Sequence, residues 1–146
     1  MSSPSANNHN SAAISSEDIG KFILRMTVAI LILFHGASKL MAGANPIIGA
    51  VTAAGLPAVF GHLVYVGEVV APLMILLGLA TRPAALIVAI NMVVAILLVH
   101  VPQLFTLSKT GGWALELQGL YLFGALAIVF LGAGHLSVGG RYGKWN

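Results

Sequence analysis

The chain has 146 residues, of which 58% are hydrophobic and 8% charged, with a mean hydropathy of +0.96 and no cysteine. Soluble domains carry about 25% charged residues, so this sequence lacks the polar surface that a water-soluble monomer needs, and a membrane protein is expected. The missing Cys excludes disulfide exchange, iron–sulfur ligation and thiolate catalysis. The net charge of +3 rests on scattered Lys and Arg with no aromatic–basic cluster, a pattern of membrane topology and not of nucleic-acid binding.

Residues 1–16 are Ser, Asn and Ala with one Pro, too polar to repay ordering, and predict a disordered tail. Ser15 with Asp18 three residues on makes a capping box, and Glu17 and Asp18 suit the positive end of a helix dipole. Four apolar stretches follow over about 19–41, 62–80, 83–101 and 114–133, each near the ~20 residues a bilayer core requires. Barrel strands would need short alternating segments, so the fold class is an all-α integral membrane protein with four transmembrane helices in a bundle. The membrane domain runs over 17–136 and a tail over 137–146.

An even number of spans puts both termini on one side. With them fall Lys21, Arg25, Arg82, Arg141 and Lys144, against Lys39 and Lys109 on the other face, which places the termini in the cytoplasm of a bacterial-type inner membrane. Arg25 and Arg82 read as topology and headgroup anchors, and Arg-Tyr-Gly-Lys-Trp at 141–145 as an interfacial one. Thr81-Arg82-Pro83 reads as a tight cytoplasmic turn. In the first outer loop, Ile47, Ile48, Val51, Val59 and Phe60 recur at helical spacing among Gly and Pro, which predicts a short interfacial helix, and the loop over 42–61 is expected to roof a polar pocket that opens toward the outer face. Ala42-Gly43-Ala44 has the small residues of a signal-peptidase site, but Lys39 beside it and the long polar leader speak against cleavage.

Ionisable groups inside a bilayer cost about 2.5–3.5 kcal/mol each, so every one asks for a reason. At ~1.5 Å per residue, His35 and Glu68 each lie about 9 Å below the outer ends of spans one and two. His100 ends span three on that side, and Glu116 with Gln118 opens span four there. At 100° per residue Arg25, His35 and Lys39 share one stripe of span one, which should face inward with Lys39 or His35 reaching Glu68. Pro72 cannot donate to the carbonyl of residue 68, so a kink is expected in span two. Glu116 and Gln118 point about 200° apart on a helix, so only one of them can face the cluster; Glu116 is the chosen one. Asn91 in mid-span predicts an interhelical hydrogen bond. His62 reads as an interface residue, and His9 and His135 carry no signal.

Three segments, Phe34-His35-Gly36-Ala37-Ser38-Lys39-Leu40 after Arg25, Gly67-Glu68, and Leu76-Leu77-Gly78-Leu79-Ala80-Thr81-Arg82, together resemble the DoxX family. Gly55-Leu56-Pro57 and Gly132-Ala133-Gly134 with Ser137 are similar to it as well, so that the resemblance covers about 20–139. It implies a four-helix inner-membrane protein of a kind often labelled an oxidoreductase, with some relatives serving as subunits of a thiosulfate:quinone oxidoreductase and others assisting redox enzymes. The chain departs from the family near its end, where Ala133 and Gly139 replace a common Gly-Pro-Gly and a following acidic residue.

The residues leave two readings open. In one, the chain belongs to a quinone-linked or other small-molecule redox system, with His35, Lys39 and Glu68 as proton and anion contacts and Glu116, Gln118 and His100 lining the ligand. In the other, the protein is a non-catalytic accessory or lipid-binding membrane protein whose buried charges only fix helix register. His35 and His100 lie near one depth, as a bis-His haem would need, but no Glu-x-x-His pair exists, so haem is disfavoured and no metal is expected. The sequence carries no cofactor fingerprint of its own, flavin or nicotinamide; a quinone is what the resemblance implies, and any electrons must come through a bound group or a redox partner subunit. The bilayer is the expected partner, nucleic acid is not, and Gly67 with Ala71 could serve packing or a homo-oligomer.

Overall fold

A computed structural model describes residues 14–140 and 143–146. The tail expected over 1–13 and the Arg141–Tyr142 part of the anchor lie outside the described residues. The first helix, α1 (Ser16–Ala42), begins on the predicted capping box: the Ser15 hydroxyl accepts from the Asp18 amide at 3.1 Å while the Asp18 carboxylate accepts from the Ser15 amide at 3.1 Å. Gly43, at φ 85°, ends it by donating to the Lys39 carbonyl at 2.8 Å, a turn that a side chain would resist. The predicted loop helix exists in part as α2 (Asn45–Ala53), with a proline in its first turn; it holds Ile47, Ile48 and Val51, whereas Val59 and Phe60 belong to the next helical stretch.

A continuous helical stretch, Ala58–Leu77, then forms the second apolar rod. It opens as a 3₁₀ segment, Ala58–Leu63, passes through a π-helical turn, Val66–Val70, and finishes as α3 (Ala71–Leu77). The third rod, Thr81–Gln103, consists of α4 (Thr81–Ala95), a π-helical turn at Ile96–His100 and a 3₁₀ turn at Val101–Gln103. Each π turn ends two residues before a proline, Pro72 and Pro102. A proline lacks the N–H that the carbonyl four residues back would receive and its ring crowds that carbonyl, so the turn before it widens. The kink expected at Pro72 thus takes the form of a π turn, and the same device recurs where the sequence reading had not placed it.

Three boundaries differ from expectation, the first being the start of the second rod at Ala58 in place of 62. The turn between the second and third rods lies at Gly78–Ala80, in the left-handed region at φ 72° and 42°, and Thr81–Pro83 is already the first turn of α4. The Leu79 amide bonds back to the Met74 carbonyl at 3.0 Å, which closes the end of α3 there, and Pro83 suits a helix start. The last helix, α5, spans Glu116–Leu131 instead of 114–133, because a hairpin-like loop pairs Leu107 with Trp113 and draws Ala114 and Leu115 out of the helix.

Among the described residues no strand forms beyond that bridge, and three helices are long and apolar enough to cross a membrane, with α5 a shorter apolar fourth. α1 packs on α3 and α5, and α4 packs on the same two helices. Their shared core is made of Ile32, Ile75, Val88 and Ile128 with Ala29, Ala71, Ala84, Ala85 and Ala125, all essentially sealed from solvent. The alanines let the helix backbones approach closely, as apolar helices need when solvent gives no hydrophobic drive between them. Large side chains such as Phe34, Phe123 and Phe130 point outward and are well exposed, as a lipid-facing surface requires. The molecule is therefore a helical membrane protein.

Candidate functional site

Two polar regions stand at opposite ends of this helical body. At the α1 N-terminal end, Arg25 is sealed at 1% exposure and donates to the carbonyls of Ala133 at 2.9 Å and Leu136 at 2.7 Å. Asp18, equally buried, accepts the His135 amide at 3.0 Å, and Arg82 donates to the carbonyls of Val129 and Phe130 at the end of α5. The burial of Arg25 corrects its headgroup-anchor reading, whereas Arg82 stays exposed. Arg25 is sealed from solvent, and its guanidinium instead satisfies two carbonyls of the chain that follows α5, while Arg82 serves the helix-end carbonyls. His135, dismissed by its position outside the spans, belongs to this cluster through its backbone. The region explains how the last segment docks, and the cavity beside it, about 190 Å³, is the smaller of the two described.

At the other end lies a cavity of about 560 Å³. Its walls come from α1, the second and third rods and α5, and from the loop that includes α2, through Ile47, Val51 and Leu56. The loop expected to roof a pocket does so. The lining is mostly apolar, which corrects the expectation of a polar pocket: the polar groups are few and lie at separate points on a greasy wall.

The strongest of them is an ion pair. Lys39 of α1 places its Nζ 2.6 Å from Oε2 of Glu68, with the two side chains 22% and 9% exposed. Glu68 sits in the π turn before Pro72, and the Lys39 carbonyl also receives the Tyr65 hydroxyl at 3.2 Å. The approach is close because α1 presents Gly36 to this turn. A Cβ at Gly36 would overlap the Glu68 carbonyl, so no other residue allows the two backbones so near.

The other candidates divide. His35 lines the cavity and meets the Tyr121 ring edge-on at 5.8 Å, so Lys39 and not His35 is the partner of Glu68. His100, in the second π turn, bonds through Nδ1 to Gln103 at 3.1 Å and through Nε2 to Gln118 at 3.3 Å. Gln118 lines the cavity with Leu117 and Tyr121, one face of α5. Glu116 does not: it is exposed and folds over Gly112, away from the other polar groups. The choice of Glu116 over Gln118 is therefore overturned. Leu115 and Gly119 are the buried positions of this turn, with Gly119 under the Trp113 ring, and that rotation turns Glu116 outward.

Two lining residues escaped the sequence reading of the site. Tyr121 follows Gln118 by three positions on the same face, a spacing that would have flagged it. Asn91 was expected to bond another helix, yet its Nδ2 is sealed from solvent without a hydrogen-bond partner among the described residues. It lies against Gly67, whose missing side chain makes room for the amide. Among the described residues no three His, Cys, Asp or Glu side chains gather as a metal site would require.

The DoxX family profile matches residues 20–101, a stretch that contains His35, Lys39, Glu68, Asn91 and His100. The chain belongs to the DoxX family. A Haemophilus influenzae protein described as uncharacterized is 33% identical to this DoxX chain over 124 residues, 83% of the chain and 89% of that protein. A Bacillus subtilis protein named "Putative oxidoreductase CatD" is 28% identical over 109 residues, 73% of the chain and 79% of that protein. No solved structure matches. Gln118 and Tyr121 of this DoxX protein lie beyond the profile, so α5 completes the cavity with residues outside the matched region.

Proposed function

We propose that this DoxX protein crosses a bacterial-type inner membrane with four helices and both termini in the cytoplasm, and that its cavity, opening in the outer half, holds the head group of a quinone-type molecule for a membrane redox system. The observation that carries the reading is the Lys39–Glu68 pair set in an otherwise apolar cavity of about 560 Å³. That volume lies in the usual range for small-molecule sites, and a greasy wall with a few placed polar groups is their usual character. The residues fit such a ligand: Lys39 offers positive charge to a ligand oxygen, Glu68 takes or gives a proton beside it, and Gln118 with His100 supplies a further polar contact. A quinone gains two electrons and two protons on reduction; this chain contributes the proton-handling and the charge. The electrons come from a separate redox protein, since the sequence holds no Cys and no nucleotide fingerprint. The name of the Bacillus subtilis relative agrees with a redox role.

A second reading, an accessory protein with structural charges, draws on the same pair: at 2.6 Å the two ions neutralise one another and pin α1 to the second rod. One experiment separates them. Purified protein is extracted for bound quinone and, in lipid nanodiscs, titrated with ubiquinone-1. The redox reading expects saturable binding that weakens about tenfold on Gln118→Leu and stays unchanged on Glu116→Ala, in line with loss of one or two hydrogen bonds. A quinone-free preparation that does not bind ubiquinone-1 supports the accessory reading.

A further inference from the structure

Asn91 presents a contradiction that the protein alone does not resolve. Buried donors almost always have partners, yet the Asn91 Nδ2 has none among the described residues, in a helix where an apolar residue would pack as well. The same side chain lines the cavity, and because Nδ2 itself is sealed, a half-turn of the amide is what brings the donor to a ligand there. Gly67 lies directly against the amide, and the next residue is Glu68, so the Asn91 amide and the ion pair meet the cavity on neighbouring surfaces of the second rod. A Cβ at position 67 would overlap the amide carbon, so the second rod yields space to this side chain.

We infer that Asn91 is a ligand-binding residue of the cavity, and that its amide, unheld by any bond to Nδ2, recognises a head-group oxygen in both its carbonyl and its hydroxyl form. This inference rests on the quinone-type reading above and adds a residue and a property to it. An amide carries a donor at one end and an acceptor at the other, and half a turn about its last torsion exchanges them. A ligand carbonyl needs a donor and a ligand hydroxyl needs an acceptor. A site built on a fixed amide would discriminate strongly between the two forms, because the wrong one leaves a buried group unpaired. A free amide serves both. A molecule that enters in one oxidation state and leaves in the other needs comparable affinity in each, and the unpartnered Asn91 supplies it where Lys39 favours the more electron-rich oxygen.

The test uses the full-length protein in nanodiscs, wild type and Asn91→Leu, a change that keeps the shape of the side chain and removes both polar ends. Ubiquinone-1 and its borohydride-reduced quinol are the probes, and the ligand-free thermal midpoint is the second readout. The expected result is affinity for the quinone and the quinol within about threefold in wild type, weakening of both by about fivefold in Asn91→Leu, and a midpoint that holds or rises, since the amide makes no bond at Nδ2 to lose. Equal binding by wild type and variant, or loss of only one oxidation state, overturns the role assigned to Asn91 while leaving the cavity reading intact. A fall in the midpoint with unchanged binding shows an interhelical packing role instead. Wild type that binds neither probe overturns the quinone reading and this inference with it.

Discussion

Replacing the ion pair by apolar residues in a double-mutant cycle tests the site where its physics is sharpest. The Lys39 side chain keeps 22% of its exposure and the Glu68 side chain 9%, so the two single changes should not cost the same. Lys39→Met strands a carboxylate that is almost sealed from water, and an uncompensated buried charge costs about 3–5 kcal/mol. Glu68→Leu strands an ammonium on a flexible stem with more access to water, so a loss of about 1–3 kcal/mol is expected there. In the Lys39→Met/Glu68→Leu double variant no charge is left unpaired and the volume is nearly kept, which returns stability to within about 1 kcal/mol of wild type. The cycle should thus show a coupling of about 3 kcal/mol or more. Unfolding by SDS in mixed micelles, followed by the fluorescence of Trp113 and Trp145, measures each corner. The ligand reading adds that the double variant, although folded, does not bind ubiquinone-1. Single variants as stable as wild type would refute the burial argument, and a larger loss for Glu68→Leu than for Lys39→Met would refute its assignment of the better-sealed partner. A double variant that binds as wild type would leave the pair as a pin and nothing more.

Gly36→Ala places a methyl on the Glu68 carbonyl, a backbone atom that cannot swing aside. Ala is favoured over Gly in a helix by about 1 kcal/mol, yet overpacking costs about 1–3 kcal/mol, so a net loss of stability is expected, with weaker ubiquinone-1 binding because Lys39 and Glu68 are pushed apart; a stabilised variant would show that the close approach is not there. Arg25→Met removes the donors to Ala133 and Leu136 and should cost about 2–3 kcal/mol. Hydrogen exchange should accelerate at the Val138 and Gly139 amides, which pair with the Leu77 and Gly78 carbonyls; unchanged exchange there would mean that the segment holds without its arginine.

What the sequence made legible follows the price of burying polarity. Lys39 and Glu68 stood out because charge in an apolar run needs a partner, but depth arithmetic set His35 level with Glu68 and left Lys39 and His35 as alternatives; the ion pair at Lys39 decides between them. The capping box at Ser15 and the loop helix α2 were legible for a similar reason, since each is written in adjacent residues. The failures concern rotation and distance along the chain. α5 is apolar on nearly every side, so nothing in it told whether Glu116 or Gln118 faced the cavity; the wedge of Trp113 on Gly119 decides it, and that contact depends on a loop geometry that no periodicity encodes. Arg25 resembled an interfacial anchor because its acceptors are backbone carbonyls more than a hundred positions away, and a carbonyl has no signature in a sequence. Asn91 was correctly noticed as out of place, but the bond expected for it is the one it lacks.

Glycine and proline together account for why the cavity forms where it does. Gly36 brings the α1 backbone onto the Glu68 turn and Gly67 admits the Asn91 side chain, so the second rod is closely packed on both sides of its single charge, by backbone at one and by an amide at the other. Pro72 widens that same turn and Pro102 widens the one bearing His100. A widened turn shifts the helical register by about one residue, which turns side chains that follow the core stripe in an ideal helix toward a different neighbour. Beyond the glycine contacts and the widened turns the rods are lined by Leu56, Phe60, Leu98 and Val99 rather than by small residues, and the space between them is left open. Four ordinary sequence choices, one that draws backbones together, one that admits a side chain and two that redirect side chains, thus place an ion pair, a histidine and an unbonded amide around one apolar space, and no single one of them would do so alone.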